Sequence, residues 1–219
     1  QSLFWGGAYA VFALLCGAAA VRAGRMPSPR DVAAPSEDAA DDKANSARLM
    51  WLGLSFCGSA LLVATSGEIS RNVVASPLLW ALPLTLYLIT FIVAFCPAPL
   101  YSRWLMMPLA FPALLLLSNK IRGKIPESME GDIFIHCLAF FVCCMICHGE
   151  LSRLKPKNNS RLTEFYLCVA GGGAAGGVFS GLLAPLVFKT VWELFAAYLL
   201  AVMLVLKALS DDKRSLYNG

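Results

Sequence analysis

Residues 133–152 read IFIHCLAFFVCCMICHGELS. A bilayer crossing takes roughly 20 mostly apolar residues, and this stretch supplies that length. Its ionisable side chains stand near the two ends, His136 at one and His148 with Glu150 at the other. The run is continuous, without alternation of period two. In lipid every backbone N–H and C=O must be satisfied internally, by a helix or a closed barrel. An uninterrupted apolar run of this kind predicts a helix.

Similar runs recur at about 3–21, 49–65, 77–95, 104–118, 166–188 and 190–209. The expected fold is therefore all-α: a polytopic transmembrane helical bundle of about seven spans. Composition agrees. The 219 residues are 58% hydrophobic and 15% charged, with mean hydropathy +0.66, where soluble domains carry about 25% charged residues. The run at 104–118 holds Pro108 and Pro112, and proline removes a backbone donor and crowds the preceding turn. A kinked or incomplete crossing is expected there. Pro83 predicts a kink in the run at 77–95.

Between the first two runs lies RAGRMPSPRDVAAPSEDAADDKANSAR, residues 22–48. Its Pro, Ala, Ser and Asp content offers little to bury, so a flexible polar linker is expected. The domain reading is a membrane helix at 1–21, this linker, a helical bundle at 49–209 and a cytoplasmic tail at 210–219. The chain opens with Gln1, and Leu3 already lies in an apolar run. It reads as a processed product or a piece of something longer.

Lys and Arg mark the cytoplasmic side of short membrane loops. With seven spans, Arg22 to Arg48, Arg103, the loop Arg153 to Arg161 and the tail from Lys207 fall on one side. Arg71, Lys120, Arg122, Lys124 and Lys189 fall on the other. The first group is larger, which predicts an outside N-terminus and a cytoplasmic C-terminus. His148 and Glu150 then lie near the cytoplasmic face. The net charge of +4 fits loops facing anionic lipid rather than nucleic acid.

Eight cysteines lie mostly within apolar runs, where a thiol behaves as a small hydrophobe. Cys144-Met145-Ile146-Cys147-His148 spells the covalent haem attachment pattern. That pattern needs an accessible chain on the oxidising side of the membrane. Here it ends an apolar helix on the cytoplasmic side, so bystander cysteines are the better reading and no cofactor is expected.

His148 and Glu150 stand two residues apart, about 200° around a helix axis. They share one ligand only if the helix stops at Gly149, glycine being a common terminator. Ionisable groups inside spans are functional suspects, so both are ligand or proton candidates. The plainer alternative pairs Glu150 with Arg153. Glu68 and Arg71 form a polar cluster expected in a turn, as an ion pair or at the mouth of a cavity. Glu164 follows a basic loop, where capping of the next helix is the simpler role. Gly173, Gly177 and Gly181 recur every four residues, as do Gly172 and Gly176, a spacing that lets helices approach closely. No metal set is expected.

Several stretches resemble a known family. They are Pro77-Leu78-Leu79-Trp80-Ala81-Leu82-Pro83-Leu84 with Leu86-Tyr87-Leu88 and Phe91, Cys147-His148-Gly149-Glu150-Leu151, Leu162-Thr163 with Phe165-Tyr166, the Gly-Gly pairs and Leu183-Ala184-Pro185. Together they resemble the membrane part of bacterial fused MFS/spermidine-synthase-like proteins, and the first fifteen residues resemble the middle of that region. The resemblance implies half of an MFS-type bundle in the bacterial inner membrane, further helices before Gln1, and an aminopropyltransferase-like domain after it. No residue of this chain matches that catalytic domain, so synthase activity is not expected of it. Two functions follow as expectations. One is a transporter-like bundle that binds or moves a small cation such as a polyamine, through His148, Glu150, Glu68 and Glu164. The other is a non-catalytic accessory subunit packed on other membrane subunits, or on the remainder of its own bundle, through its glycines.

Overall fold

A computed structural model describes residues 11, 14, 18, 38–72, 77–96, 101–124, 128–156, 161–187 and 192–217. The chain divides into two compact units, Gln1–Asp41 and Asp42–Gly219. In the first, Val11, Leu14 and Ala18 are helical and exposed. The remainder of the expected span 3–21, and residues 22–37 of the expected linker, lie outside the described residues.

The second unit is helical, with no strand among the described residues. We label the helices α1 (Asp38–Asn72), α2 (Pro77–Phe95), α3 (Arg103–Ile121), α4 (Met129–Arg153), α5 (Leu162–Val178) and α6 (Trp192–Tyr217). After Val178 a π-helical turn, Phe179–Leu183, leads into a last helical turn, Ala184–Val187.

Several boundaries differ from the sequence reading. Helix α1 starts at Asp38, so residues 38–48, expected in a flexible linker, are helix. That segment is Ala-rich with Asp38, Asp41 and Asp42 early on, a composition that favours helix and complements its positive N-terminal end. The same helix runs on to Asn72, so Glu68 and Arg71 belong to its last turns rather than to a loop. Helix α6 continues to Tyr217, past the expected start of the tail. Helix α3 is complete across 19 residues despite Pro108 and Pro112.

The ends carry clear signals. Ser128 caps α4, its hydroxyl accepting from Gly131 N at 3.3 Å, with Glu130 and Asp132 in the first turn and Arg153 in the last. Acids at the start and a base at the end oppose the helix dipole. Helix α3 stops at Gly123, whose φ of +68° suits glycine. Gly123 N donates to Lys120 O at 2.9 Å and Lys124 N to Asn119 O at 3.0 Å, closing the last carbonyls in a Schellman turn.

Helix α4 is the axis of the unit, packed against α2, α3 and α6. Every residue from Val142 to Leu151 is buried. The exterior is the inverse of a soluble protein's. Leu105, Phe111, Leu115, Leu167, Leu182, Leu199 and Met203 are exposed, and so wide an apolar exterior requires an apolar surrounding. Four helices among the described residues are long and apolar enough to cross a membrane: the Asn45–Arg71 part of α1, α3, α4, and the stretch Leu162–Leu183. The described apolar parts of α2 and α6, Ala81–Phe95 and Ala196–Ser210, are shorter. In the α4 window 61% of residues are buried, against 17% for α3 and for α5. Helix α4 is thus the core of the unit, while α3 and α5 are exposed over most of their surface.

Candidate functional site

Glu150, near the end of α4, is 1% exposed, and a carboxylate taken from water needs compensating partners. Three donors meet it. Arg103, the first residue of α3, gives Nε to Glu150 Oε1 at 2.6 Å and Nη2 to Oε2. Tyr101 Oη donates to Oε1 at 2.8 Å. Two parallel N–H donors from a planar guanidinium form the strongest common carboxylate contact. Beyond the local pair with Arg153 that the sequence suggests, the carboxylate is held across helices by Arg103 and Tyr101. Burial first, and then the Glu150 charge, push the Tyr101 phenol well above its usual range, so it stays protonated and donates.

Gly149 does not end the helix. A Cβ there would strike the Tyr101 ring, so glycine makes room for the clasp beside it. Because α4 continues regularly to Arg153, His148 and Glu150 point to different neighbours and share no ligand.

His148 is 1% exposed and occupies a niche between α1, α2 and α4. Tyr87 and Phe91 meet its ring edge-on, with centroids 4.8 and 5.1 Å away. Its Nδ1 lies 3.0 Å from Thr90 Oγ1. Thr90 spends its one proton on Tyr87 O at 2.8 Å, so the imidazole must carry its proton on Nδ1 and donate to Thr90. Nε2 is left as a bare acceptor, with no hydrogen-bond partner among the described residues. It faces α1 at Gly58, where an added Cβ would come within 3.0 Å of it.

The other candidates lie apart from these two. Glu164 pairs with Arg48, and at 3.6 Å with Arg161. It ties α1 to the start of α5, where it stands in the first helical turn. Nearby, Trp51 Nε1 donates to Leu154 O at 3.1 Å. Glu68 and Arg71 form an i,i+3 pair at 3.4 Å. At that same end of the bundle Lys120 pairs with Asp132.

The glycines divide by face. Gly172 and Gly176 press on α1: a Cβ at either would collide with the carbonyl oxygen of Leu52 or Phe56. Ser55 Oγ donates to Val169 O at 2.5 Å, and Ser180 Oγ to Ala60 O at 3.2 Å, across the same seam. Gly173 faces the Ser55 and Ser59 hydroxyls at ordinary contact distance. Around Gly177 and Gly181 there is open space.

Cys144 and Cys147 are fully buried, which denies them the exposed backbone that covalent haem attachment needs, and the His148 imidazole is enclosed by protein. Among the described residues no three His, Cys, Asp or Glu gather as a metal set. Sequence reasoning missed Tyr101, Arg103, Thr90, Tyr87 and Gly58. Arg103 entered only as a loop charge, although an arginine directly before an apolar run is a usable signal for a pair at the helix mouth.

Fold and site together define a helical membrane protein whose buried ionisable groups are clasped between helices. No family model, no curated protein and no solved structure matches this chain.

Proposed function

We propose that this chain is a non-catalytic, accessory helical module of the bacterial inner membrane, of the kind fused to spermidine-synthase-like proteins. Its work is to pack against other membrane subunits or against further helices of its own bundle. The supporting observation is that Glu150, the most buried of the suspected ligand carboxylates, is already committed to Arg103 and Tyr101. A carboxylate saturated by a guanidinium and a phenol offers little to an incoming cation. The open face at Gly177 and Gly181 supplies room for a partner helix. The basic end around Arg48, Arg103 and Arg153 is assigned to the cytoplasm by the positive-inside rule.

The test uses the full chain in its native membrane. Gly177→Leu is expected to abolish co-purification of membrane partners while the chain stays folded. Retention of those partners would count against the accessory role.

The competing reading, a transporter-like bundle for a small cation such as a polyamine, requires Arg103 to leave Glu150 and the cation to replace it. The same clasp would then act as a gate. Equilibrium binding of radiolabelled spermidine separates the two. The accessory role predicts no saturable binding to the unaltered protein. Saturable binding that disappears in Glu150→Gln establishes the polyamine reading instead.

A further inference from the structure

Arg103 lies opposite Glu150 and Lys120 opposite Asp132, so α3 and α4 run antiparallel. Between them and α6 runs a groove of about 170 Å³, open along one side. Met107 and Leu114 of α3, Ile146 of α4 and Val205 and Leu206 of α6 border it, and its wall is almost wholly apolar. The room exists because Ala110, Cys143, Cys147 and Ala201, which complete the lining, are small; a buried thiol acts as a small hydrophobe. Packed interiors leave few voids larger than a water molecule, so this volume calls for an occupant. From Met107 to Leu114 the helix rises about 10 Å. That is most of the depth of one leaflet, half of a hydrocarbon core roughly 30 Å thick.

One end of the groove is marked as the headgroup level. Arg103 stands one turn before Met107, and its neighbour Trp104 is 89% exposed, as befits a side chain that favours the membrane–water interface. Arg153 follows Ile146 by seven residues, on the same line of α4. Glu150 lies between them, so two arginines against one carboxylate leave this end with a surplus of one positive charge.

We propose that the groove seats one acyl chain of an anionic phospholipid, with the lipid phosphate at the Arg103–Arg153 end. An acyl chain is a single file of methylenes and leaves no polar group unpaired against an apolar wall. A transmembrane helix is 10–12 Å across and over the same length fills on the order of 1,000 Å³, far more than the groove holds. A protein helix therefore passes over the groove, whereas a lipid tail enters it. The phosphate complements the surplus charge. The groove uses none of the α5 glycines, so this inference is independent of the accessory role.

The experiment places the full-length chain in phosphatidylethanolamine vesicles doped with phosphatidylglycerol that carries a photoreactive diazirine in its acyl chain. A parallel sample uses phosphatidylcholine with the same chain, and labelled peptides are read by mass spectrometry. Residues Val142 to Leu151 of α4 are all buried, so lipid that merely coats the bundle labels the exposed Phe111, Leu115 and Leu199 and leaves α4 unmarked. Label at Cys143–Cys147 is expected, about fivefold stronger with phosphatidylglycerol, the worth of one basic residue beside anionic lipid. Ala110→Leu fills the groove from a half-buried position and is expected to abolish the α4 label. Its exterior label should persist, which shows that the variant is folded and inserted. Arg153→Gln is expected to bring the two lipids to parity while the α4 label remains. Label confined to the exterior, as when a second copy or another protein helix covers the groove, overturns the proposal. So does α4 label that Ala110→Leu leaves unchanged, or equal label from both lipids in the unaltered chain.

Discussion

Arg103 and Glu150 are 47 residues apart in sequence and meet with Nε 2.6 Å from Oε1, joining the start of α3 to the end of α4. Glu150 is almost wholly inaccessible and Arg103 only partly so. Removing one partner of a buried pair leaves an uncompensated charge, at a cost of about 3–5 kcal/mol. Arg103→Met alone is therefore expected to destabilise the bundle by that amount in detergent unfolding. Arg103→Met combined with Glu150→Leu should recover most of the loss, because an apolar replacement of both partners is near neutral. Additive losses would show that the two side chains do not act as a unit.

The glycines of α5 should separate by face. Gly172→Ala and Gly176→Ala drive a methyl into the backbone of α1, and overpacking of this kind costs about 1–3 kcal/mol. Gly177→Ala meets open space and should be neutral or stabilising by up to about 1 kcal/mol, since alanine is the better helix former. Equal losses at Gly172 and Gly177 in thermal unfolding would contradict the placement of the seam.

Thr90→Val keeps shape and removes the acceptor for His148 Nδ1–H. A buried polar group left without a partner costs about 1–3 kcal/mol. Nitrogen-15 spectra of the His148 ring should show the proton on Nδ1 in the unaltered protein, and a change at that nitrogen in the variant. A ring protonated on Nε2 at neutral pH would reverse the tautomer argued from Thr90.

Tyr101→Phe deletes a hydrogen bond to a carboxylate, about 1.5–3 kcal/mol. The phenol's pKa is raised in the folded state, so its contribution is fully present below the ordinary tyrosine value near 10. It fades as pH rises above that value. The stability difference between tyrosine and phenylalanine should therefore be flat across neutral pH and shrink only in the alkaline range. A difference that already falls near neutral pH would sink this reading.

Much of the fold was legible because lipid allows few solutions. The apolar runs at 77–95, 104–118 and 133–152 fall within α2, α3 and α4, since a continuous apolar stretch in a bilayer must close its own hydrogen bonds. Helix ends were less legible. Asp38–Arg48 and Ser210–Tyr217 are polar yet helical, because a helix stops at a cap or a breaker and not where hydrophobicity ends. Gly123 and Ser128 are such signals, and they mark the ends of α3 and α4.

By itself the sequence determined the class of protein, the helical character of its apolar runs though not the expected count of about seven spans, and the suspicion attached to His148 and Glu150. Each of these follows from local chemistry: apolar length, helical period and the cost of charge in an apolar medium. Only the tertiary structure decided what those residues touch. Rotation about the α4 axis sent His148 to Thr90 and Glu150 to Arg103, and rotation about the α5 axis placed Gly172 and Gly176, rather than Gly177 and Gly181, against α1. Partners 47, 58 and 116 residues apart are fixed by the way helices cross, and no local pattern along the chain encodes that angle.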